Sequence, residues 1–219
     1  MTAREPLRTF LACKVEAAAA NALFEALRPA RTEFAEPAFR WIDPGNYHVT
    51  LRFFGDLPRD RIERAARAIA PVAAASAPID CRIDAFLALP NARRPTVIAL
   101  ALESAATASA PPTGAVLAPS RESSPDSQRE PHGALEQLAA RANAAFEPEF
   151  GRPDKPFKAH LTIVRCRRGA RMTTRPGAPV GALHFNRIAL FESSQAATGV
   201  RYSVLEEFVL GAPGRYTAS

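Results

Sequence analysis

The sequence predicts an α+β protein of two pseudo-symmetric lobes, each an antiparallel sheet with helices packed outside, facing a central cleft. Three observations lead there. Strand-like stretches alternate with helix-like ones in both halves of the chain, and Pro90 to Pro95 is a turn-rich link suited to an antiparallel pair. One strand pattern, His-aliphatic-Thr-aliphatic, occurs once in each half, at His48 and at His160.

Leu7 to Val15 is apolar with β-branched and aromatic members and reads as a strand. Glu16 to Leu27 follows as a helix, with Leu23, Phe24 and Leu27 at helical spacing and Pro29 stopping it. Tyr47 to Phe54 alternates as a strand, and Gly55-Asp56-Leu57-Pro58 ends it before a helix from Asp60 to about Ala75. Ile79 to Leu89 and Thr96 to Leu102 are the next two strands. Between Ser104 and Gly133, 30 residues hold six Ser and five Pro, with Val116 and Leu117 as the large aliphatics, so this stretch reads as a disordered insertion between the halves. Ala134 to Phe146 is a helix with Leu135, Leu138 and Ala142 on one face, and strands follow at Phe157 to Cys166, Leu183 to Phe191 and Tyr202 to Leu210. The expectation is a two-lobed domain over residues 1–219 that carries the insertion at 104–133.

A hydrophobic share of 47% in 219 residues fills a core and excludes wholesale disorder. The formal charge of +6 favours polyanionic or phosphorylated partners. Of the 28 basic residues only Lys14, Lys155 and Lys158 are lysine, an arginine excess that a GC-rich coding bias explains equally well. Cys13, Cys81 and Cys166 are far apart and lack the close spacing of a zinc site or redox pair, which fits a reducing cytoplasm. No apolar run approaches the roughly 18 residues that span a bilayer. The stretch around Arg8 and Lys14 is too short for a signal-peptide core. A cytoplasmic monomer without a membrane partner is expected.

Within each motif, side chains two apart share a strand face. His48 with Thr50, and His160 with Thr162, therefore stand opposite the faces of Val49 with Leu51 and Leu161 with Ile163. If the lobes oppose these faces, two imidazoles and two hydroxyls converge, an arrangement suited to a phosphodiester. Ester cleavage at neutral pH needs one group to deprotonate the nucleophile and one to protonate the leaving alkoxide, and imidazole serves both roles. Threonine hydroxyls donate to the non-bridging oxygens. No metal or other cofactor is needed: the histidines lack further close ligands, and His132 and His184 lie in unrelated segments. His132 reads as solvated and His184 as an edge or surface residue. Arg52 continues the parity of His48 and Thr50, which aims it at the cleft as a phosphate fork. Phe53 and Phe54 read as core packing.

These residues resemble the two-histidine phosphoesterases, and within them the RNA 2′,3′-cyclic phosphodiesterases, also described as the 2′-5′ RNA ligase family. The likeness rests on Arg40-Trp41-Ile42 before the stretch from Asn46 to Leu57, on Pro156 to Arg165, and on Leu190 to Leu210, and it covers nearly everything outside 104–133. It implies hydrolysis of RNA 2′,3′-cyclic phosphate ends to 2′-phosphomonoesters. His48 would be general acid and His160 general base, with Thr50 and Thr162 as phosphate ligands. Arg165 matches a family arginine but lies five residues from His160, hence on the opposite face unless the strand bulges. Ala159 departs from the proline usual before the second histidine. The likeness also sets Trp41, Phe157 and Tyr202 near the cleft. The alternatives are 2′-5′ RNA ligation, hydrolysis of a small cyclic nucleotide phosphate, and a non-catalytic RNA-binding module.

Overall fold

Leu7–Lys14 forms β1, whose side chains alternate between Leu11 and Cys13 on a buried face and Phe10 and Ala12 on the other. The computed structural model describes residues 5–35, 37–104, 133–173, 176–196 and 199–211. Helix α1 spans Ala17–Ala26, and α2 spans Arg28–Glu33. The first helix stops ahead of Pro29 as expected, and Pro29 itself sits in the first turn of α2, where its missing N–H is no loss. The short strand β2, Phe39–Trp41, and a one-turn 3₁₀ helix, Pro44–Asn46, lead into β3, His48–Leu57. That strand runs on through Gly55, which absorbs a bulge at φ +77° rather than ending the strand.

Helix α3 is Arg59–Ala74; β4, Ile79–Leu89, and β5, Val97–Ser104, form the expected antiparallel pair. Helix α4, Ala134–Phe150, extends a turn beyond its apolar periodicity, and β6 is His160–Cys166. The expected strand from Leu183 to Phe191 is two strands, β7 at Ala182–Phe185 and β8 at Arg187–Ala196, and β9 is Gly199–Val209. Asn186 marks the crossing: β7 pairs with β4 in one sheet, while β8 pairs with β1 and β9 in the other.

Two antiparallel sheets result, in the orders β3-β1-β8-β9 and β2-β6-β5-β4-β7. The four-stranded sheet takes β1 and β3 from the first part of the chain and β8 and β9 from the last, and the five-stranded sheet takes β4 to β7 together with β2, which lies between β1 and β3 in sequence. The lobes therefore do not follow the order of the halves. The stretch expected to be a disordered insertion, 104–133, begins where β5 ends, and its interior lies outside the described residues. Its two ends meet: the Ser104 hydroxyl accepts a hydrogen bond from the Leu135 N–H at 3.1 Å, satisfying a free donor in the first turn of α4.

Helices α3 and α4 pack on each other and on the four-stranded sheet. Phe34, after α2, packs on Phe39, Trp41 and Phe86 of the other sheet. One continuous core joins Leu11, Val49 and Leu51 to Leu161, Ile163 and Val164. β3 and β6 lie against each other across the junction of the sheets, which brings the two motif strands together. Among the described residues no helix is long and apolar enough to cross a membrane.

Candidate active site

The two motif strands are built alike, residue for residue. In β3, His48 and Thr50 are partly exposed, Val49, Leu51 and Arg52 are buried, and Phe53 is exposed. In β6 the sequence of exposure is the same from His160 to Arg165, with Leu161, Ile163 and Val164 buried. Each strand carries a bulge at its fourth residue. β1 pairs Ala12 with Thr50 and Leu11 with Arg52, leaving Leu51 unmatched; β5 pairs Ala99 with Thr162 and Ile98 with Val164, leaving Ile163 unmatched. The extra residue reverses the parity downstream.

That reversal decides the fate of both candidate arginines. Arg165 moves onto the face of His160 and Thr162, where it is exposed and donates to the Tyr202 hydroxyl at 3.2 Å. Arg52 is turned the other way. Only 5% exposed, it donates to Asn143 Oδ1 at 2.9 Å and to the carbonyls of Phe150 and Gly151 at 3.1 and 2.9 Å. The expectation that Arg52 faces the cleft fails because simple alternation was carried across a bulge. Phe53, expected in the core, is 50% exposed for the same reason and stacks on the Arg8 guanidinium, whereas Phe54 packs on Phe146 and Phe150 as expected.

The imidazoles are fixed by matching contacts. His48 Nδ1 lies 2.7 Å from the Asn46 carbonyl and His160 Nδ1 lies 2.7 Å from the Lys158 carbonyl, each two residues upstream. A carbonyl only accepts, so each Nδ1 carries the proton and each Nε2 is left for chemistry. Asp43 helps to place the first of these carbonyls: its Oδ1 accepts the Gly45 N–H at 2.8 Å and caps the 3₁₀ turn that ends at Asn46. Across the ladder each threonine faces a small buried residue, Ala12 opposite Thr50 and Ala99 opposite Thr162. On that side of each threonine the partner strand offers only a methyl group.

His48 sits on an aromatic bed that the motifs alone do not reveal. Phe10 and Tyr202 ring centroids lie 5.0 Å from its own, Tyr202 edge-on, with Phe191 behind at 6.5 Å. Removal from water pulls its pKa down to about 4; the Asn46 carbonyl opposes this, and the Arg165 cation and His160 add to it. Both Arg165 and His160 are thus close enough to act on His48. Lys14, directly opposite His48 in the β1–β3 register, shares its face and lines a hollow with Asn46, Tyr202 and Val204. Its strand parity with Phe10 and Ala12 was the signal available in the sequence.

A depressed His48 pKa has a stability consequence. An unfolded histidine takes up its proton near pH 6.5, while His48 resists until about 4. Folding stability is therefore fully present above 6.5 and is lost as pH falls through that window. Urea melts at a series of pH values should show this slope in the wild type and a shallower one in His48→Asn; equal slopes would contradict the assignment.

Of the remaining sequence candidates, Trp41 donates its indole N–H to the Phe34 carbonyl at 3.2 Å and Phe157 packs against the main core. His184 stands exposed on the edge strand β7, against Asp80 Oδ1 at 2.8 Å, and His132 lies outside the described residues. Burial raises the thiol pKa of Cys13 and Cys81, which keeps both protonated.

Residues 14–99, which include His48 and Thr50, match the family model described as "LigT like Phosphoesterase". Over that stretch the chain is similar to the LigT-like phosphoesterases. The chain is 24% identical over 181 residues to the RNA 2′,3′-cyclic phosphodiesterase of Aquifex aeolicus (strain VF5), covering 78% of this chain and 82% of that one. Its fold matches the crystal structure of TT0787 of Thermus thermophilus, with a TM-score of 0.66 and 24% identity over 94% of this chain and 99% of that one. It also matches E. coli LigT complexed with ATP, with a TM-score of 0.63 and 20% identity over 94% of this chain and 98% of that one.

Proposed function

We propose that this chain is a LigT-like phosphoesterase and that it hydrolyses RNA 2′,3′-cyclic phosphate ends to 2′-phosphomonoesters. The reading rests on one observation above all: two imidazoles, each held at Nδ1 by the carbonyl two residues upstream, on adjoining strands whose hydroxyls and histidines share a face. The curated relative with an RNA 2′,3′-cyclic phosphodiesterase activity supports the substrate class. His160 Nε2 takes a proton from water, the hydroxyl attacks phosphorus in line, and the 3′ oxygen leaves with a proton from His48 Nε2. Thr50 and Thr162 donate to the non-bridging oxygens, and Arg165 offsets the negative charge that accumulates there.

The direction of acid and base follows the family likeness, because the two histidines are held alike. It places a demand on His48, which is neutral at pH 7 before substrate binds. A bound phosphate anion supplies the charge that opposes Arg165 and His160, so a ligand should raise the His48 pKa. NMR titration of the imidazole signals is expected to find His48 near 4 in the free protein and at least one unit higher with 2′-AMP bound. An unchanged value would mean that phosphate does not sit beside it.

The decisive assay is an RNA ending in 2′,3′-cyclic phosphate, incubated with EDTA beside a 5′-hydroxyl RNA acceptor. A terminal 2′-phosphate is the expected product. A 3′-phosphate would contradict the leaving group, a 2′-5′ joined strand would favour ligation, and an intact cyclic end with RNA bound would favour a binding module.

A further inference from the structure

Exposed arginines gather toward one end of the five-stranded sheet, where Arg165 of the site just described is joined by five others on two turns. Arg93 and Arg94 are on the β4–β5 turn, and Arg167, Arg168 and Arg171 follow β6; all are exposed. Backbone hydrogen bonds tie these turns together at both ends: Cys166 N–H donates to the Thr96 carbonyl at 2.9 Å, and Met172 N–H to the Ala92 carbonyl at 3.0 Å.

Both turns are held in fixed shapes. Asn91 Oδ1 accepts from the N–H groups of Arg93 and Arg94 at 3.1 and 3.0 Å. On the other turn Ala170 N–H donates to the Arg167 carbonyl at 3.1 Å, a tight turn made possible by Gly169 at φ +95°. The arginines are thus presented on ordered backbone, which lowers the ordering cost of binding.

Their charge is also uncommitted. Elsewhere on the surface, Arg28, Arg64, Arg82, Arg152 and Arg187 each pair with a carboxylate. None of the five turn arginines does so among the described residues, and neither Pro90 to Thr96 nor Cys166 to Met172 contains an acidic residue. Continuity with the site comes from β6 itself. His160, Thr162 and Arg165 follow one another on its open face, and the strand then runs directly into Arg167, roughly 20 Å from His160 at strand rise. A few nucleotides of single strand cover that distance.

We infer that the two turns form a docking surface for the phosphodiester backbone of the RNA strand whose cyclic end occupies the cleft. The inference rests on the reaction proposed above and extends it: the preferred substrate is an oligonucleotide, held upstream of its end by guanidinium-phosphate contacts.

The test compares Arg93→Gln/Arg94→Gln and Arg167→Gln/Arg168→Gln/Arg171→Gln with Arg59→Gln/Arg67→Gln, which removes two exposed charges from α3. A short oligoribonucleotide and cytidine 2′,3′-cyclic phosphate serve as parallel substrates, and anisotropy reads binding of the same oligonucleotide with a 2′-phosphate end. Each turn variant should weaken oligonucleotide binding and kcat/KM about tenfold at low salt. It should also reduce the slope of log affinity against log salt by roughly 0.7 for each phosphate that is no longer neutralised. Turnover of the cyclic mononucleotide should stay within twofold, which also reports intact folding. Equal losses in the α3 variant, or unchanged oligonucleotide binding in both turn variants, would overturn the surface. A wild type that binds the oligonucleotide through these turns yet cleaves neither substrate would overturn the proposed reaction and leave the surface standing.

Discussion

His48→Ala and His160→Ala should each lower turnover of a cyclic phosphate end by about 10² to 10⁴-fold, with the fold retained. Both rings are partly exposed on the open face of their strands, so their removal opens no cavity in the main core. His48 makes the larger packing contribution, against Phe10 and Tyr202, and His48→Asn is the better-matched replacement there. The two losses should not add, because without either proton carrier the other has no complete reaction to assist. The double variant is expected to resemble the worse single one. Near-normal hydrolysis by both single variants, measured on RNA with a verified cyclic end, would remove the assignment altogether.

The parts of this site that were legible in the sequence are the parts set by local geometry. His48 with Thr50, and His160 with Thr162, are two residues apart, and over that span alternation holds whatever the neighbouring strand does. Arg52 and Arg165 lie beyond a bulge, which depends on how β1 and β5 pair rather than on the motif strand itself. One trace was present: the adjacent apolar pair Ile163-Val164 breaks an otherwise alternating pattern, as a bulged strand with two consecutive buried residues must. In β3 the equivalent position is Arg52, and a charged residue there disguised the same break. The aromatic bed beneath His48 was hidden differently, since Phe10, Phe191 and Tyr202 are brought together only by the β1–β8–β9 order. The splitting of Leu183 to Phe191 into strands of different sheets was illegible for a related reason: a chain crosses between sheets at Asn186 without any glycine or proline to announce it.

Arg52 should prove to be a stability residue. Helix α4 ends at Phe150, and its last carbonyls have no partners within the helix. The Arg52 guanidinium supplies donors to the Phe150 and Gly151 carbonyls, places a cation at the negative end of the helix, and reaches Asn143 further back along it. Asn143 is itself held, because its Nδ2 donates to the Ala139 carbonyl at 2.8 Å. One side chain thus fastens the back of motif strand β3 to the end of α4, immediately after the bulge that orients the open face. Arg52→Ala removes charged, part-buried hydrogen bonds and leaves a void where a buried side chain stood, an expected loss of about 3 kcal/mol. For a chain of this size that corresponds to a fall in Tm of roughly 6–12 °C. Arg52→Lys should recover only part of it, since an ammonium on a flexible stem does not reproduce a planar fork spread over three acceptors. Below the melting transition both variants should keep kcat/KM on a cyclic mononucleotide within a few-fold of wild type. A large catalytic loss with unchanged melting would instead return Arg52 to the cleft, and the bulge at Leu51 could then not be as described.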